Sequence, residues 1–284
     1  MAPAAPPLRT RLRALRMGLS TVLGGRRQGW FIPYRYADSV SPPPAYPELE
    51  PLFAAAEPAF EEVLADIESC APALERIGGD APPQPRWAQS WFPRLDAAAA
   101  YAIVRARRPA RIVEVGSGHS TRFMARAVAD GGLPTRIVAV DPAPRAHIAA
   151  LGVEHVAATV QQAPRAPFDA LAACDILFVD SSHVAMPGSD VDHLLNRIWP
   201  ALPAGVLVHV HDILLPDGYP DAWAWRGYNE QSAVAPLLSG GAAKLLFASR
   251  YVATRMADRV AGTVVGRLPI PDGAVETSLW LEKG

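Results

Sequence analysis

The sequence predicts an α/β fold built on a mostly parallel sheet, and three observations carry that prediction. Short, largely apolar runs recur at Ile112–Val115, Ile137–Val140, Ile176–Val179 and Val206–Val210. Between them lie stretches with apolar residues at helical spacing. The first run ends in the glycine turn Gly116-Ser-Gly118 and a helix start. Runs this short beside such turns fit parallel strands buried on both faces, and their alternation with helical stretches is the pattern of βα units.

The whole chain sets bounds on function. Its 284 residues suffice for one large domain, or one domain with an appendage, and half of them are apolar. A net charge of −1 argues against a nucleic-acid partner. The two cysteines, Cys70 and Cys174, match no metal or redox spacing, which points to a reduced, cytoplasmic setting. No apolar run approaches the ~18 residues of a membrane helix. There is no internal repeat, and the sequence leaves a homo-oligomer open.

Taken in order, residues 1–28 form a basic leader. Residues 1–37 hold seven arginines and no acid. Leu12, Leu15, Leu19 and Val22 share one helix face, with Arg9, Arg13 and Arg16 elsewhere. Such a segment could lie on a membrane surface or meet an acidic partner, but a mobile or locally packed leader is the plainer expectation. A secretion signal is excluded, because Ser20 and Thr21 interrupt the apolar stretch and no small-residue cleavage pattern follows. Residues 29–95 read as a lid and helical appendage. Gly29–Tyr36 is rich in rings and suits either a lid over a pocket or a strap that buries them. Pro47–Ile77 has helical spacing and reads as two helices broken near Pro58 and Pro72; a linker over 80–85 follows. Trp87–Asp96 leads into an alanine-rich helix, Ala97–Arg107, with Arg94 and Asp96 read as a local ion pair or as neighbours of a pocket mouth.

The third division, 96–284, is organised around Arg111-Ile-Val-Glu-Val-Gly-Ser-Gly-His-Ser-Thr121. Gly116 and Gly118 allow a sharp turn and close approach to a ligand. Ser120 or Thr121 can cap the helix that follows. Strand, glycine turn and helix N-terminus together make a nucleotide-type pocket. A dinucleotide fingerprint would want a third glycine at Thr121 and an apolar residue at Glu114. An ionised Glu114 would repel a pyrophosphate and attract an ammonium group. Asp141 ends the second strand, where a carboxylate can accept hydrogen bonds from both hydroxyls of a ribose. Val153–Val156 is a third strand, followed by Gln161 and Gln162, of which Gln162 is the candidate adenine contact. Asp180 ends the fourth strand at the ligand edge and Ser181-Ser-His183 continues the loop. Ser189 caps a helix carrying Val191, Leu194, Leu195, Ile198 and Trp199, with Asp190 and Asp192 as helix-start acids. In the fifth strand, His209 reads as a hydrogen-bonded core residue, while His211 and Asp212 reach the same edge as Asp180. The long loop Ile213–Tyr228 carries Tyr219, Trp223, Trp225 and Arg226, and loops of this length are usually functional. Asn229-Glu-Gln231 opens a further helix, and Lys244–Phe247 and Thr277–Leu281 supply the last two strands.

These motifs in order, from Gly29-x-Phe-Ile-Pro-Tyr-Arg-Tyr-Ala37 and Trp-Phe-Pro-Arg-Leu-Asp96 through Glu114–Thr121, Asp175-Ile-Leu-Phe-Val-Asp-Ser-Ser-His183, Gly188-Ser-Asp-Val191, His209-Val-His-Asp-Ile213 and Tyr228-Asn-Glu-Gln231 to Ser278-Leu-Trp-Leu281, are distinctive. Over residues 29–282 the chain resembles a bacterial class I S-adenosylmethionine (SAM)-dependent methyltransferase family related to the macrocin O-methyltransferase and cephalosporin-hydroxylase-like group. The resemblance implies a Rossmann-like seven-stranded sheet with helices on both faces and its last strand antiparallel. It places SAM against Glu114, Gly116, Ser117, Gly118, Ser120, Thr121, Asp141, Gln162 and Asp180, with Glu114 facing the methionyl end. Ser120 departs from the third glycine that many methyltransferases carry. The expected reaction is methyl transfer to a small-molecule acceptor, at oxygen or nitrogen, with His183 and His211 as candidate bases. Alternatively Asp180, His211 and Asp212 would hold Mg²⁺ or another divalent ion. Two rival functions share the fold: a metal-dependent hydroxylase-like enzyme and a SAM-binding protein without catalysis.

Overall fold

The computed structural model describes residues 7–79, 81–144 and 148–284. Residues 1–6 of the leader and Asp80 of the expected linker lie outside them. In chain order the elements are α1 (Leu8–Val22), α2 (Glu50–Ala55), α3 (Glu57–Ser69), α4 (Ala71–Leu74), α5 (Arg94–Arg107), β1 (Arg111–Val115), α6 (His119–Asp130), β2 (Arg136–Val140) and β3 (Glu154–Val156). There follow α7 (Ala166–Asp169), β4 (Ile176–Val179), α8 (Asp190–His193), β5 (Leu207–Val210), α9 (Glu230–Ser239), β6 (Ala243–Ala248), α10 (Ser249–Arg255), α11 (Ala257–Ala261), α12 (Val264–Arg267) and β7 (Leu279–Lys283).

The strands form one sheet in the order β3-β2-β1-β4-β5-β7-β6. β1 to β5 run parallel, and β7 lies antiparallel between β5 and β6. The strand order reverses between β1 and β4, and this is where open α/β sheets bind ligands, outside the carboxyl ends of the strands. The register sets Glu114 of β1 level with Ala139 and Phe178, so Gly116, Asp141 and Asp180 all emerge at one edge. The seven-stranded mixed sheet matches the expectation from the sequence.

The helices depart from expectation in instructive ways. Pro58 and Pro72 stand in the first turns of α3 and α4, where a missing N–H costs nothing, so the breaks fall before them, at Ala56 and Cys70. α6 starts at His119, so Ser120 and Thr121 lie within its first turn and neither is its cap. Ser189 does cap α8, accepting from the Asp192 amide, but that helix then loosens into a π-type turn over Leu194–Ile198 and a tight turn ending at Ala201. The short helices α10 to α12 had no counterpart in the sequence reading.

The appendage shares the core of the sheet. Phe53 and Phe60 are fully buried and pack their rings against Tyr251 and Phe247. With Val63, Leu64 and Ile67, each such side chain removed from water contributes about 1.5–3 kcal/mol. The exposed pairs Arg259–Glu61 and Arg267–Glu75 along the same seam add only tenths of that.

Candidate active site

The first half of the site is the glycine turn. Gly116 has φ +80°, and a Cβ there would stand 1.9 Å from the backbone oxygen of Asp180. Only glycine lets β1 turn this close under the end of β4. Asp141 braces the turn: one carboxylate oxygen accepts from the Ser117 amide at 2.8 Å and its hydroxyl at 3.0 Å, and the other from the Ala143 amide at 2.8 Å. Beneath the turn, Glu114 is fully buried and accepts from the hydroxyls of Ser120 and Thr121, each at 2.6 Å. Thr121 Oγ1 in turn accepts from the Gly118 amide at 2.9 Å. Burial outweighs these hydrogen bonds and pushes the Glu114 carboxyl up to about 8, with Asp180 and Asp141 adding to the rise.

The second half lies at the ends of β4 and β5, where two imidazoles are set among four carboxylates. His183 donates through Nδ1 to Glu230 at 2.9 Å and turns Nε2 toward Asp180 at 3.3 Å and Asp212 at 3.5 Å. His211 turns Nδ1 toward Asp180 at 3.6 Å and Asp212 at 3.7 Å, and Nε2 toward Asp96 at 3.7 Å. Burial alone would lower His183, but hydrogen bonds to Asp180 and Glu230 prevail and hold it up at about 10. The same contest leaves His211 well above the ordinary imidazole value. Desolvation would raise Asp180, but the two imidazoliums hold it far below the usual carboxylate range. Glu230 moves upward because it is wholly buried. Both rings are thus biased toward the charged form by the carboxylates around them. His183 and Asp212 hold left-handed backbone at φ 59° and 53°, a conformation that ordinary side chains adopt reluctantly and that clusters at functional sites.

Both halves line one cavity of ≈ 920 Å³. Its roof comes from the 213–228 loop, where the Arg226 guanidinium lies 4.1 Å from the Trp223 ring centre and 3.6 Å from Asp212. Trp91, Phe92 and Trp30 complete the rim. Trp30 and its neighbours Phe31, Ile32, Tyr34 and Tyr36 are exposed, so this segment does not act as a strap burying its rings.

Residues 113–213 match the family model of a methyltransferase domain. This stretch of the chain is a methyltransferase domain. No curated protein matches the chain. Among solved structures it is similar to an SAH-bound methyltransferase of Podospora anserina, at 16% identity over 90% of this chain and 99% of that one, with a TM-score of 0.38. An O-methyltransferase of Bacillus cereus in complex with SAH aligns at 9% identity over 78% of this chain and 91% of that one, TM-score 0.42. An O-methyltransferase of Streptomyces achromogenes involved in tomaymycin synthesis, in complex with SAM, aligns at 18% identity over 65% and 81%, TM-score 0.35.

Of the residues expected at the site, Gly116, Ser117, Gly118, Ser120, Asp141, Asp180, His183, His211 and Asp212 all line the cavity. Three expected cofactor contacts are not on its wall. Glu114 and Thr121 sit under the turn and shape it from behind. Gln162 is exposed, and its neighbour Gln161 lines the cavity instead, donating to the Gly188 carbonyl at 3.1 Å. The cavity fits SAM: it lies at the switch point, is bare of side chain at Gly118, and exposes the Asp141 carboxyl. The donor set does not fit a metal in the same way. Among the described residues no group of three His, Cys, Asp or Glu is placed to hold one, and Asp180, His211 and Asp212 pair with each other instead.

From sequence, Arg94 and Asp96 read as a local ion pair or as neighbours of a pocket mouth; Arg94 pairs with Glu276 at 3.0 Å, while Asp96 accepts from the amides of Thr277 and Ser278 and faces His211. Two further participants escaped the sequence reading. Glu230 and Arg226 belong to stretches marked as motif and loop but were given no role. His209 is the core residue expected, stacked on Phe178 at 3.7 Å and hydrogen-bonded to Ser278 Oγ at 2.8 Å.

Proposed function

We propose that the enzyme methylates an oxygen, or nitrogen, nucleophile on a small-molecule acceptor, and that the acceptor atom sits against Asp180. The observation that carries this reading is the single cavity into which the glycine turn with Asp141 and the Asp180–His183–His211 cluster both open. The turn and Asp141 would hold the adenosine end. When bound, SAM supplies an electrophilic methyl group, so the protein has chiefly to align donor and acceptor and keep water out.

The cluster supplies what an acceptor hydroxyl needs. Charged rings at His183 and His211 draw the oxygen in and stabilise the negative charge that develops on it. Because both rings favour the charged form beside these carboxylates, the proton of the hydroxyl passes to solvent at the open side of the cluster. Asp180 is the carboxylate placed to accept a hydrogen bond from that hydroxyl and orient it, with 41% of its side chain open against 12% for Asp212 and 2% for Glu230. The histidines thus act as charge-holding groups around the acceptor, in place of the bases the sequence suggested. Arg226 over Trp223 and Tyr228 offers a cationic and aromatic wall for a planar or anionic acceptor.

The test is calorimetry with SAM, followed by transfer of labelled methyl to panels of phenols, alcohols and amines. Saturable SAM binding with transfer to a hydroxyl panel is expected. Absence of SAM binding defeats the cofactor assignment, and transfer to carbon acceptors alone defeats the oxygen or nitrogen assignment.

A further inference from the structure

Helix α1 buries none of its residues. Leu8, Leu12, Leu15, Leu19 and Val22 recur at the spacing of one helix face, and all are at least half exposed. On the helical wheel Arg9 and Arg16 flank this stripe on one side and Arg11 on the other, each exposed. Beyond the helix Trp30, Phe31, Ile32, Tyr34 and Tyr36 are exposed as well. Arg27 lies 5.4 Å from the Trp30 ring centre, and Arg35 lies 5.9 Å from that of Tyr36. Scattered surface apolars need no explanation, but five on one face of an unburied helix, followed by five exposed apolar and aromatic residues, mark an interaction surface.

We propose that this leader seats the enzyme on an anionic lipid surface, with the cavity mouth beside that surface. Aliphatic side chains on one face, amphipathic rings alongside and guanidiniums at the flanks match the order of hydrocarbon, headgroup and phosphate at a bilayer surface. Charge selects the lipid: seven arginines without an acid before Asp38 attract anionic headgroups. The same charges oppose the leader of a second copy, which counts against a leader-to-leader dimer. Trp30 belongs both to the exposed array and to the cavity rim, so the docking surface reaches the mouth of the site. The proposal does not depend on which acceptor atom is methylated.

The experiment is sedimentation of the full chain with phosphatidylcholine vesicles, with and without phosphatidylglycerol. Binding to the anionic vesicles only, falling as salt rises, is the expected result. The pair Leu15→Asp and Leu19→Asp should weaken it at least roughly tenfold while SAM affinity stays as in the parent. Arg9→Gln with Arg13→Gln and Arg16→Gln should weaken it several-fold and flatten the salt dependence. No binding to anionic vesicles, or equal binding by the aspartate pair, overturns the proposal. So does a lipid-free dimer that the aspartate pair abolishes.

Discussion

The two halves of the cavity are built in opposite ways. The glycine turn is stitched by near neighbours: Ser120 and Thr121 reach back to Glu114, and Gly118 reaches forward to Thr121. The Asp–His cluster is stitched across the chain, with Asp96, Asp180, His183, His211, Asp212, Glu230 and Thr277 meeting from five separate segments. A locally stitched loop can be read from spacing and tolerates remote change. A cluster assembled from far segments depends on the sheet register that brings β4 and β5 level.

One residue joins the halves, and breaking it should have the largest effect. Gly116→Ala places a methyl 1.9 Å from the Asp180 carbonyl, on a backbone that L residues avoid. The loop must move away from β4, separating the turn from the cluster. We expect SAM binding to vanish in calorimetry and the melting temperature to fall by about 4 °C or more. Retained affinity would mean that the two halves are not coupled there.

The next effect confines itself to the cluster. His211→Ala removes a charge held by Asp180, Asp212 and Asp96, and turnover should fall roughly 10²–10⁴-fold with SAM affinity nearly unchanged. Asp180→Asn should do the same if that carboxylate orients the acceptor hydroxyl. Equal loss of SAM affinity in either variant would deny the division into halves. Asp141→Ala is the mirror experiment: it should weaken SAM by about 1–3 kcal/mol and leave the rate at saturating SAM near the parent value.

That contrast also sets how much was legible beforehand. β1, β2, β4 and β5 showed as apolar runs, and the turn showed because glycines and an acid cluster within ten residues of chain. Asp96 was only half legible, because an acid beside Arg94 in sequence looks like its partner as readily as a neighbour of the pocket mouth, and only the fold reveals that Glu276 takes the arginine. Glu230 did not show because a helix-start acid has an ordinary explanation. Which of the paired glutamines faces the cavity was not legible either, since the turn after β3 presents Gln161 to it and leaves Gln162 outside. Helices α10 to α12 are too short to carry a period.

A smaller effect is read by pH. His183 is held up at about 10 by Asp180 and Glu230, against about 6.5 in an unfolded chain. Its pairing therefore contributes stability in full below about 6.5, and that contribution is lost as pH rises through about 10. The melting temperature should decline across this window, and His183→Gln should flatten the decline. If the rings were bases working neutral, turnover would instead climb through the same range.

The smallest effect is expected at Glu114, where two accounts of the turn part company. The resemblance to other methyltransferases puts a negative charge there to meet the ammonium of the methionyl tail. The geometry puts the carboxyl behind the turn, wholly buried, with both oxygens taken by hydroxyls. Pushed up to about 8, it is largely protonated at pH 7 and has little charge to offer. A buried neutral carboxyl that orders two hydroxyls is closely imitated by an amide, because the hydroxyls can rotate to donate or accept. Glu114→Gln should therefore change SAM affinity by less than about 1 kcal/mol, whereas Glu114→Ala, which leaves both hydroxyls unpaired beside a void, should cost more in stability than in binding. A large loss of affinity on Glu114→Gln with an unchanged melting temperature would restore the ammonium account and make the carboxylate a direct contact of the cofactor.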